Sequence, residues 1–470
     1  MEKYILKQEH IQLIPIDNDN MLFFHTELLQ MYPLQDKELI TFLSYYKENG
    51  REKTMAVYSK EDFEAIDDFI HETISKSPIS PVLGQDINHE NYTQVILPIA
   101  ACCNLNCPYC FAQTDGGFRF ENFTERDIDR VAAFLVEKNT DEDKAFIVIF
   151  FGGEPLLKFD IMQYTVQHFK EKYPHRKVHY SITTNGTLIN EEIIQFFKEN
   201  NVAILLSIDG PENEFNVRNF RAGGNSTSTV LKNIEILKQH GVNFEIRATF
   251  VNTNPYIVET CDFFEKLEVR FMGVFAYESE NKDHNLGQYD ESVLESIKQQ
   301  MDNLLLYYVE RLKNNQPIYN KWFETILSDT FRFRLKRQNA CGAGINFFSI
   351  IANGDIFSCS HFINEPKCRI GNIEEGIINK SHMIPISIDE IEECAACWVK
   401  YLCQGGCLAQ KISSGKSNIT AHIPNSCALE KLKWNLFLKL YYYVLSLCPN
   451  YFEYKDKEEA LREEAMAKKG

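Results

Sequence analysis

The stretch TQVILPIAACCNLNCPYCFA, residues 93–112, joins an apolar run to three cysteines in the spacing CxxxCxxC. The run is predicted to be a strand, so Cys103, Cys107 and Cys110 follow its carboxyl end, where the functional groups of parallel sheets gather. Three thiolates from one loop suit three irons of a cubane iron–sulfur cluster and leave the fourth iron open to a substrate. A zinc site completed by a distant ligand is the alternative.

The composition is that of a globular protein with clustered cysteines. The 470 residues are 44% apolar and 24% charged, and the net charge of −17 argues against nucleic acid or an anionic membrane as a partner. No apolar run approaches the roughly 20 residues that span a bilayer, and the first residues lack the features of a signal peptide. Twelve of the 14 cysteines fall into two clusters, as metal ligands in a reducing compartment do. We therefore expect a cytoplasmic protein.

Residues 1–80 have the pattern of a separate α+β module. Three strand-like runs, YILKQ, IQLIPI and MLFFHT, precede two helical stretches at residues 36–48 and 60–77. Residues 77–92 contain two prolines and no sustained period, which predicts a linker.

Residues 92–310 alternate apolar strands with helices. The predicted strands are TQVILPIA, AFIVIFFGG, KVHYSITTNG, VAILLSIDG, FEIRATFV and VRFMGVFAY. The predicted helices between them cover residues 125–138, 161–173, 191–200, 228–240 and 256–267. This alternation predicts an α/β fold with a parallel sheet, either doubly wound or an incomplete barrel.

The first cysteine loop, with Tyr109 before its third cysteine, resembles the signature of the radical S-adenosylmethionine (SAM) superfamily. The other landmarks of that family follow at the ends of successive predicted strands. They are Gly152-Gly153-Glu154-Pro155, Thr183-Thr184-Asn185-Gly186, Ser207-Ile208-Asp209-Gly210 and Arg247. The resemblance covers about residues 92–280 and implies a partial (β/α)6 barrel.

The resemblance also implies the cofactors and their ligands. Cys103, Cys107 and Cys110 would be the catalytic cysteines, holding a [4Fe-4S] cluster that cleaves SAM reductively to a 5′-deoxyadenosyl radical. Electrons would come from a flavodoxin or a ferredoxin-type reductant. The residues expected to bind SAM are Tyr109, Gly152, Gly153, Glu154, Thr184, Asn185, Ser207, Asp209 and Arg247.

A second cysteine field, within residues 341–430, resembles the seven-cysteine SPASM extension, which carries auxiliary clusters. By this resemblance an outer [4Fe-4S] cluster is held by Cys394, Cys397, Cys403 and Cys427. An inner one is held by Cys341, Cys359 and Cys407, for three clusters in all. Cys368 could be the fourth ligand of the inner cluster. If it is not, one iron of that cluster is open to a substrate thiolate. His361 and His382 are expected to lie beside the clusters or at the surface rather than to ligate.

The remaining segments are predicted to be helical. Residues 311–340 form a helical bridge, and residues 431–470 form a last helix near 432–446 with a charged tail.

The amino-terminal module directs the interpretation of the substrate. Its pattern is similar to the winged-helix recognition element of ribosomal-peptide maturases, which binds a leader peptide by strand addition. This implies a cysteine-containing precursor peptide as partner and thioether formation of the sactipeptide or ranthipeptide type. Carbon–carbon crosslinking is a second hypothesis. Anaerobic sulfatase maturation is a third, although Ser360 occupies the position after Cys359 where that family carries an aspartate. A non-enzymatic electron carrier is a fourth, but it would have no use for the GGEP motif.

Overall fold

The computed structural model describes residues 7–75, 92–112, 118–212, 216–252, 256–277, 286–325, 336, 341–378, 388–413 and 423–451. Several sequence-based predictions lie outside these residues: the linker from residue 77 to 91, most of the bridge after residue 325, His382, and the charged tail from residue 452. Within the described part, no helix is long and apolar enough to cross a membrane.

The amino-terminal module is an antiparallel sheet followed by two helices. Its strands, in the spatial order β1-β2-β3, are β1 (Ile11–Pro15), β2 (Met21–His25) and β3 (Gln30–Leu34). The helices are α1 (Lys37–Met55) and α2 (Lys60–Ser75). Seven buried apolar side chains form a core of its own: Ile11, Phe23, Leu34, Phe42, Leu43, Tyr46 and Phe63.

Two predictions for this module were wrong in detail. The strand β3 was missed, because QMYPL mixes polar residues and a proline with its apolar positions. Helix α1 was predicted to end at residue 48; its backbone is interrupted at Gly50, where φ is +77°, and a second helical segment then runs to Met55. Of the first predicted strand, YILKQ, only Lys7 and Gln8 are described, and they are not in a strand.

The six predicted strands of the βα series are confirmed. They are β4 (Gln94–Ala100), β5 (Phe146–Gly152), β6 (Val178–Thr184), β7 (Ala203–Ser207), β8 (Phe244–Phe250) and β9 (Phe271–Phe275). Each pairs in parallel with the next along the chain. This sequential order excludes a doubly wound sheet, in which the strand order reverses at a switch point. All six carboxyl ends therefore meet at one edge.

The connecting helices lie close to their predicted positions. They are α3 (Glu125–Lys138), α4 (Phe159–Lys172), α5 (Glu191–Glu199), α6 (Thr227–Gln239) and α7 (Ile257–Lys266). Helix α3 begins at a capping box, in which Thr124 and Asp127 each bond the other's backbone N–H. Apolar residues of these helices and of the strands share one continuous core.

The carboxyl-terminal region extends the same sheet instead of forming a detached domain. Strand β10 (Phe347–Ile350) pairs in parallel with β4. Strands β11 (Asp355–Phe357), β12 (Arg369–Asn372) and β13 (Gly376–Ile377) continue from it in antiparallel order. The helices of this half are α8 (Glu291–Lys313), α9 (Lys321–Thr325), α10 (Glu392–Ala395), α11 (Lys400–Cys403), α12 (Leu408–Ser413) and α13 (Pro424–Leu447). Helix α13 begins earlier than predicted, so Cys427 lies in its first turn.

Candidate active site and cysteine-rich loops

The first cysteine loop leaves β4 and turns tightly at its third cysteine. The backbone N–H of Cys110 donates to the carbonyl of Cys107 at 3.1 Å. The N–H of Leu105 donates to the Sγ of Cys103 at 3.4 Å. These bonds hold the three predicted ligands in one loop at the carboxyl edge of the sheet.

Burial disfavours the ionised form of two thiols in this loop. Burial raises the pKa of Cys103 to about 12; the N–H of Leu105 opposes this shift, and the nearby charges of Glu154, Cys107 and Cys110 contribute to it. Burial raises the pKa of Cys107 to about 11, with Arg218 opposing this shift. Neighbouring thiols that must be ionised to bind a metal fit an iron–sulfur cluster, whose irons supply the positive charge. Among the described residues no three His, Cys, Asp or Glu side chains converge closely enough to hold a single metal ion.

Gly152 and Gly153 pass so close to the first cysteine loop that only glycine fits. A Cβ on Gly152, whose φ is +133°, would lie 2.4 Å from the carbonyl oxygen of Ala100. A Cβ on Gly153 would lie 2.2 Å from the carbonyl oxygen of Cys102. The N–H groups of Gly153 and Glu154 donate to these same two carbonyls, at 2.8 and 2.9 Å. The turn after β5 is therefore fixed to the loop after β4 by backbone hydrogen bonds.

Glu154 is fully buried, with 0% of its surface exposed. Its Oε1 accepts from the Thr184 hydroxyl at 2.7 Å and the Leu156 N–H at 3.1 Å, and its Oε2 accepts from the Asn185 N–H at 2.7 Å. Burial raises the pKa of this carboxyl, and these donors partly offset the shift. Oε2 keeps a lone pair for one more donor, and an ammonium group would also supply the missing positive charge.

Asn185 connects the end of β6 to the first cysteine loop. Its Nδ2 donates to the Oδ1 of Asn104 at 2.9 Å and lies 3.8 Å from the Sγ of Cys103. Its Oδ1 accepts from the hydroxyl of Thr187 at 2.7 Å. Thr184 and Asn185 are both expected to bind SAM. They also contact Glu154, and Asn185 contacts Cys103, so they help to orient these two side chains.

Tyr109 and Asp209 contact each other, and an arginine that the sequence analysis missed joins them. The Tyr109 hydroxyl donates to Asp209 in a short hydrogen bond. Arg218 donates from Nη1 to the Tyr109 hydroxyl at 2.6 Å and lies 3.6 Å from the Asp209 carboxylate. The N–H of Thr249 also donates to Asp209, at 2.9 Å. Asp209 therefore orders Tyr109 within the site, and no sequence signal around Arg218 pointed to this role.

Ser207 and Arg247 are neighbours across β7 and β8, as their register requires. Both are half-buried. Burial lowers the pKa of His361 to about 3, and the charge of Arg247 acts in the same direction. Burial raises the pKa of Tyr277, and the charge of Arg247 opposes that shift. The positions expected to contact SAM thus extend toward the second cysteine field.

In the second cysteine field, Cys341 and Cys359 lie close enough to Cys407 for its charge to affect the pKa of each. We call these three residues the inner cysteine group. Burial raises the pKa of Cys359 to about 12, and the charges of Cys407 and Cys341 add to the shift. Burial also raises the pKa of Cys341, with Cys407 contributing in the same direction. These are the three residues expected at the inner cluster.

A second group contains the four cysteines expected at the outer cluster. Burial is the main cause of the raised pKa values of Cys394, Cys403 and Cys427, and the charge of Cys397 raises each of the three further. The positive charge of a metal group would favour the ionised form of these buried thiols.

Cys368 belongs to neither group. It is 4% exposed and packs in the main apolar core. Burial raises its pKa, and the charges that act on it are those of Lys367 and Glu365. The charges of the inner three cysteines are not among those that shift its pKa.

His361 joins the two cysteine fields. Its ring stacks on Phe111, directly after Cys110, with centroids 3.7 Å apart, and its Nδ1 lies 3.5 Å from the Sγ of Cys359. The Tyr277 ring packs edge-on against it at 5.0 Å, and the Tyr277 hydroxyl is 3.5 Å from the Sγ of Cys407. The expectation that His361 lies beside the cysteines fits this geometry.

The amino-terminal module also contacts the second cysteine field. The Glu27 carboxylate, between β2 and β3, pairs with Lys400 at 2.5 Å and with Lys336 at 3.4 Å. Phe24 packs edge-on against Trp398 with ring centroids 6.4 Å apart. Trp398 and Lys400 lie between Cys397 and Cys403, so the module rests on the loop of the outer cysteine group.

Comparison with known proteins agrees with this geometry. The model of the Radical SAM superfamily matches residues 97–267. A cysteine-type anaerobic sulfatase-maturating enzyme of Clostridium perfringens is 27% identical over 334 residues, which cover 67% of this chain and 88% of that enzyme. The solved structure of anSMEcpe with bound AdoMet aligns with a TM-score of 0.63 and 22% identity, over 74% of this chain and 93% of that one. Streptococcus suis SuiB bound to S-adenosylmethionine aligns with a TM-score of 0.51 and 17% identity, over 89% of this chain and 99% of that one.

Proposed function

Residues 97–267 form a radical SAM domain, and from this premise we propose that the protein is a cytoplasmic peptide maturase. Its substrate would be a cysteine-containing precursor peptide with a leader, in which it installs thioether links from cysteine sulfur to carbon. The electron donor would be a flavodoxin or a ferredoxin-type protein. Bound together, the first cluster and SAM would supply a 5′-deoxyadenosyl radical able to abstract hydrogen from an unreactive carbon.

The contact of the amino-terminal module with the outer cysteine loop is the observation that carries this proposal. Strands β1 and β3 are the edges of a three-stranded sheet, and an extended leader peptide can bind such an edge by adding a strand. The Glu27–Lys400 pair holds this sheet against the loop from Cys397 to Cys403. A leader bound at the module would therefore bring the peptide that follows it close to the second cysteine field.

The residues of the first site would divide the binding of the cofactors among them. Cys103, Cys107 and Cys110 would hold the first cluster. Glu154 would accept a hydrogen bond from the amino group of SAM. Its buried Oε2 accepts only one hydrogen bond among the described residues and can accept another. Gly152 and Gly153 would let the backbone approach closely, since the turn tolerates no Cβ.

The inner cysteine group supports sulfur chemistry on the substrate. The charge of Cys407 affects the pKa values of Cys341 and Cys359. The charges that act on Cys368 are instead those of Lys367 and Glu365. A cluster held by three cysteines has an iron open for an external thiolate, which a cysteine of the precursor peptide would supply. Carbon–carbon crosslinking would use the same first site but would not need this open iron.

Anaerobic sulfatase maturation is the second candidate, and the similarity to the Clostridium perfringens enzyme favours it. That reaction oxidises one cysteine or serine to formylglycine. Against it stands Ser360, which occupies the place of the aspartate expected in that family and is itself buried.

To test the proposal, the protein is reconstituted anaerobically and incubated with SAM, a reductant and one of two peptides. One is the cysteine-containing peptide encoded beside its gene, and the other is a sulfatase peptide. We expect the first to lose two hydrogens per crosslink and to gain iodoacetamide-resistant cysteines. A leaderless form of the same peptide is the matched control and should react poorly. Formylglycine in the second peptide, with the first unchanged, would replace the proposal by sulfatase maturation.

A further inference from the structure

A strap formed by residues 216–226, between β7 and α6, lies across the first cysteine loop. The N–H of Asn106 donates to the carbonyl of Asn219 at 2.8 Å, and the N–H of Arg221 donates to the carbonyl of Asn104 at 2.9 Å. Leu105 and Phe220 form an antiparallel bridge between these two bonds. The strap and the cysteine loop are therefore paired like two short strands, which fixes the side chains of the strap relative to the cysteines.

Two arginines of the strap reach the cysteine loop in different ways. Arg221 is exposed, and its Nε donates to the carbonyl of Cys103 at 2.8 Å. Arg218 points inward, and its side chain is 12% exposed. The hydroxyl of Ser226 holds the carbonyl of Arg218 at 2.7 Å. The strap thus offers one buried and one exposed guanidinium beside the same loop.

The Nε–H of Arg218 is a buried donor with no hydrogen-bond partner among the described residues. Nη1 is occupied, because it donates to the Tyr109 hydroxyl and lies near the Asp209 carboxylate. A buried charged donor that stays unpaired is destabilising, so an acceptor is expected beside it. The guanidinium lies beside the first cysteine loop, because its Nη1 bonds to Tyr109, which stands between Cys107 and Cys110.

We propose that Arg218 is a positioning and electrostatic residue for the first iron–sulfur cluster, donating its Nε–H to a cluster sulfur and raising the reduction potential of that cluster. Hydrogen bonds to sulfur and nearby charge are two of the properties that set such potentials. Reduction adds one electron from the external flavodoxin or ferredoxin-type donor, so a buried cation stabilises the reduced form. The inference rests on the radical SAM assignment of the first loop and is independent of the peptide substrate.

The test is a redox titration of the reconstituted protein, followed by electron paramagnetic resonance. The signal of the first cluster is isolated by subtracting the spectrum of Cys107→Ala, which lacks that cluster. The variants are Arg218→Met, Arg218→Lys and Tyr109→Phe, with Arg221→Gln as the matched control for loss of a guanidinium from the same strap. Each is titrated without SAM and again with it.

We expect Arg218→Met to lower the equilibrium constant for reduction of the first cluster by about tenfold, or about 59 mV for one electron. Arg218→Lys keeps the charge but loses the Nε donor, and should shift the midpoint part of the way. Arg221→Gln should stay within about twofold of the unsubstituted protein, because its charge is exposed and screened. Tyr109→Phe should shift less than Arg218→Met, because the guanidinium remains.

Four results would overturn the inference. A midpoint for Arg218→Met equal to that of the unsubstituted protein would show that Arg218 does not act on the cluster. A shift of the same size in Tyr109→Phe would assign the effect to the tyrosine, and a shift seen only after SAM is added would assign the Nε–H to the cofactor. If Arg218→Met fails to load the cluster, Arg218→Lys decides, since an unchanged midpoint there contradicts the Nε–H bond. None of these results alters the peptide assignment, which the mass of the peptide tests separately.

Discussion

The imidazole of His361 stacks on the phenyl ring of Phe111, with centroids 3.7 Å apart and the planes inclined by 24°. Phe111 follows the last cysteine of the first loop, and His361 lies 3.5 Å from a cysteine of the inner group. The buried side chain of Asn364 adds two hydrogen bonds, to the carbonyls of Phe111 and Ala112, both at 3.3 Å. The site where the radical would form is therefore held in register with the site where the substrate sulfur would bind.

Replacing His361 should uncouple these two sites. We expect His361→Leu to lower the yield of crosslinked peptide per 5′-deoxyadenosine by about 10- to 100-fold, because a displacement of about 1 Å between reacting groups has an effect of that size. His361→Phe keeps an aromatic ring on Phe111 and should retain more coupling. The measurement is the ratio of the two products by mass spectrometry. An unchanged ratio in His361→Leu would show that the stack does not position the substrate.

The first and second cysteine fields should respond differently to the loss of one ligand. Cys107→Ala removes a ligand from the first loop and should abolish formation of 5′-deoxyadenosine. Cys427→Ala affects the outer group, which under the proposal takes no part in the cleavage of SAM, so some uncoupled cleavage should persist. Chromatography of the nucleoside product measures both. Full cleavage by Cys107→Ala would refute the assignment of the first cluster.

Cys407 and Cys368 form a matched pair for the inner group. We expect Cys407→Ala to lose about four irons per chain, the content of one [4Fe-4S] cluster, because its charge acts on both Cys341 and Cys359. Cys368→Ala should keep the full iron content, because that thiol lies in the apolar core. Iron and sulfide analysis after reconstitution measures the difference. Equal losses from both variants would make Cys368 the fourth ligand.

The stability of the amino-terminal module should fall as the pH falls below neutral. His25 is 1% exposed, and burial lowers its pKa to about 3, with His10 and Lys336 acting in the same direction and Glu27 opposing them. Because the unfolded imidazole titrates near pH 6.5, the unfolded state binds the proton first. Stability is therefore full above about pH 6.5 and is lost as the pH falls toward 3. Between pH 7 and 5.5 the loss should be about 1 kcal/mol.

The measurement for this dependence is hydrogen–deuterium exchange in β1 to β3 across that pH range. His25→Asn replaces Nδ1, which accepts from the N–H of Leu28 at 3.2 Å, by an amide oxygen that does not titrate. The variant should weaken the dependence of stability on pH. A smaller dependence should remain, because burial also lowers the pKa of His10. His179→Asn, at an exposed position of β6, is the control and should not change it. If the stability of His25→Asn depends on pH as strongly as that of the unsubstituted protein, His25 is not the cause.

Much of the central fold could be predicted because its signals are local. The strands from β4 to β9 are continuous apolar runs, which is how strands buried on both faces appear in a sequence. Helix α3 was predicted to its ends, since Thr124 and Asp127 form a capping box there. Strand β3 was missed because its short run is broken by Pro33.

The candidate site was predicted in its motifs but not in its contacts. The spacing of the cysteines and the GGEP motif can be recognised in the chain, and the close backbone approach at Gly153 explains why glycine stands there. Arg218 could not be found in this way, because its role depends on a loop that pairs with the cysteines only in three dimensions. The pairing of β10 with β4 is of the same kind, as it joins residues about 250 positions apart.

The most direct test of the account is the electron paramagnetic resonance spectrum of the reduced, reconstituted protein before and after SAM is added. If Cys103, Cys107 and Cys110 leave one iron open to the nucleotide, the signal changes shape on addition, and SAM labelled with ¹⁵N in its amino group shows a hyperfine coupling to the cluster. In Cys107→Ala neither effect should occur. A spectrum that SAM does not change, or zinc in place of iron at these cysteines, would contradict the account.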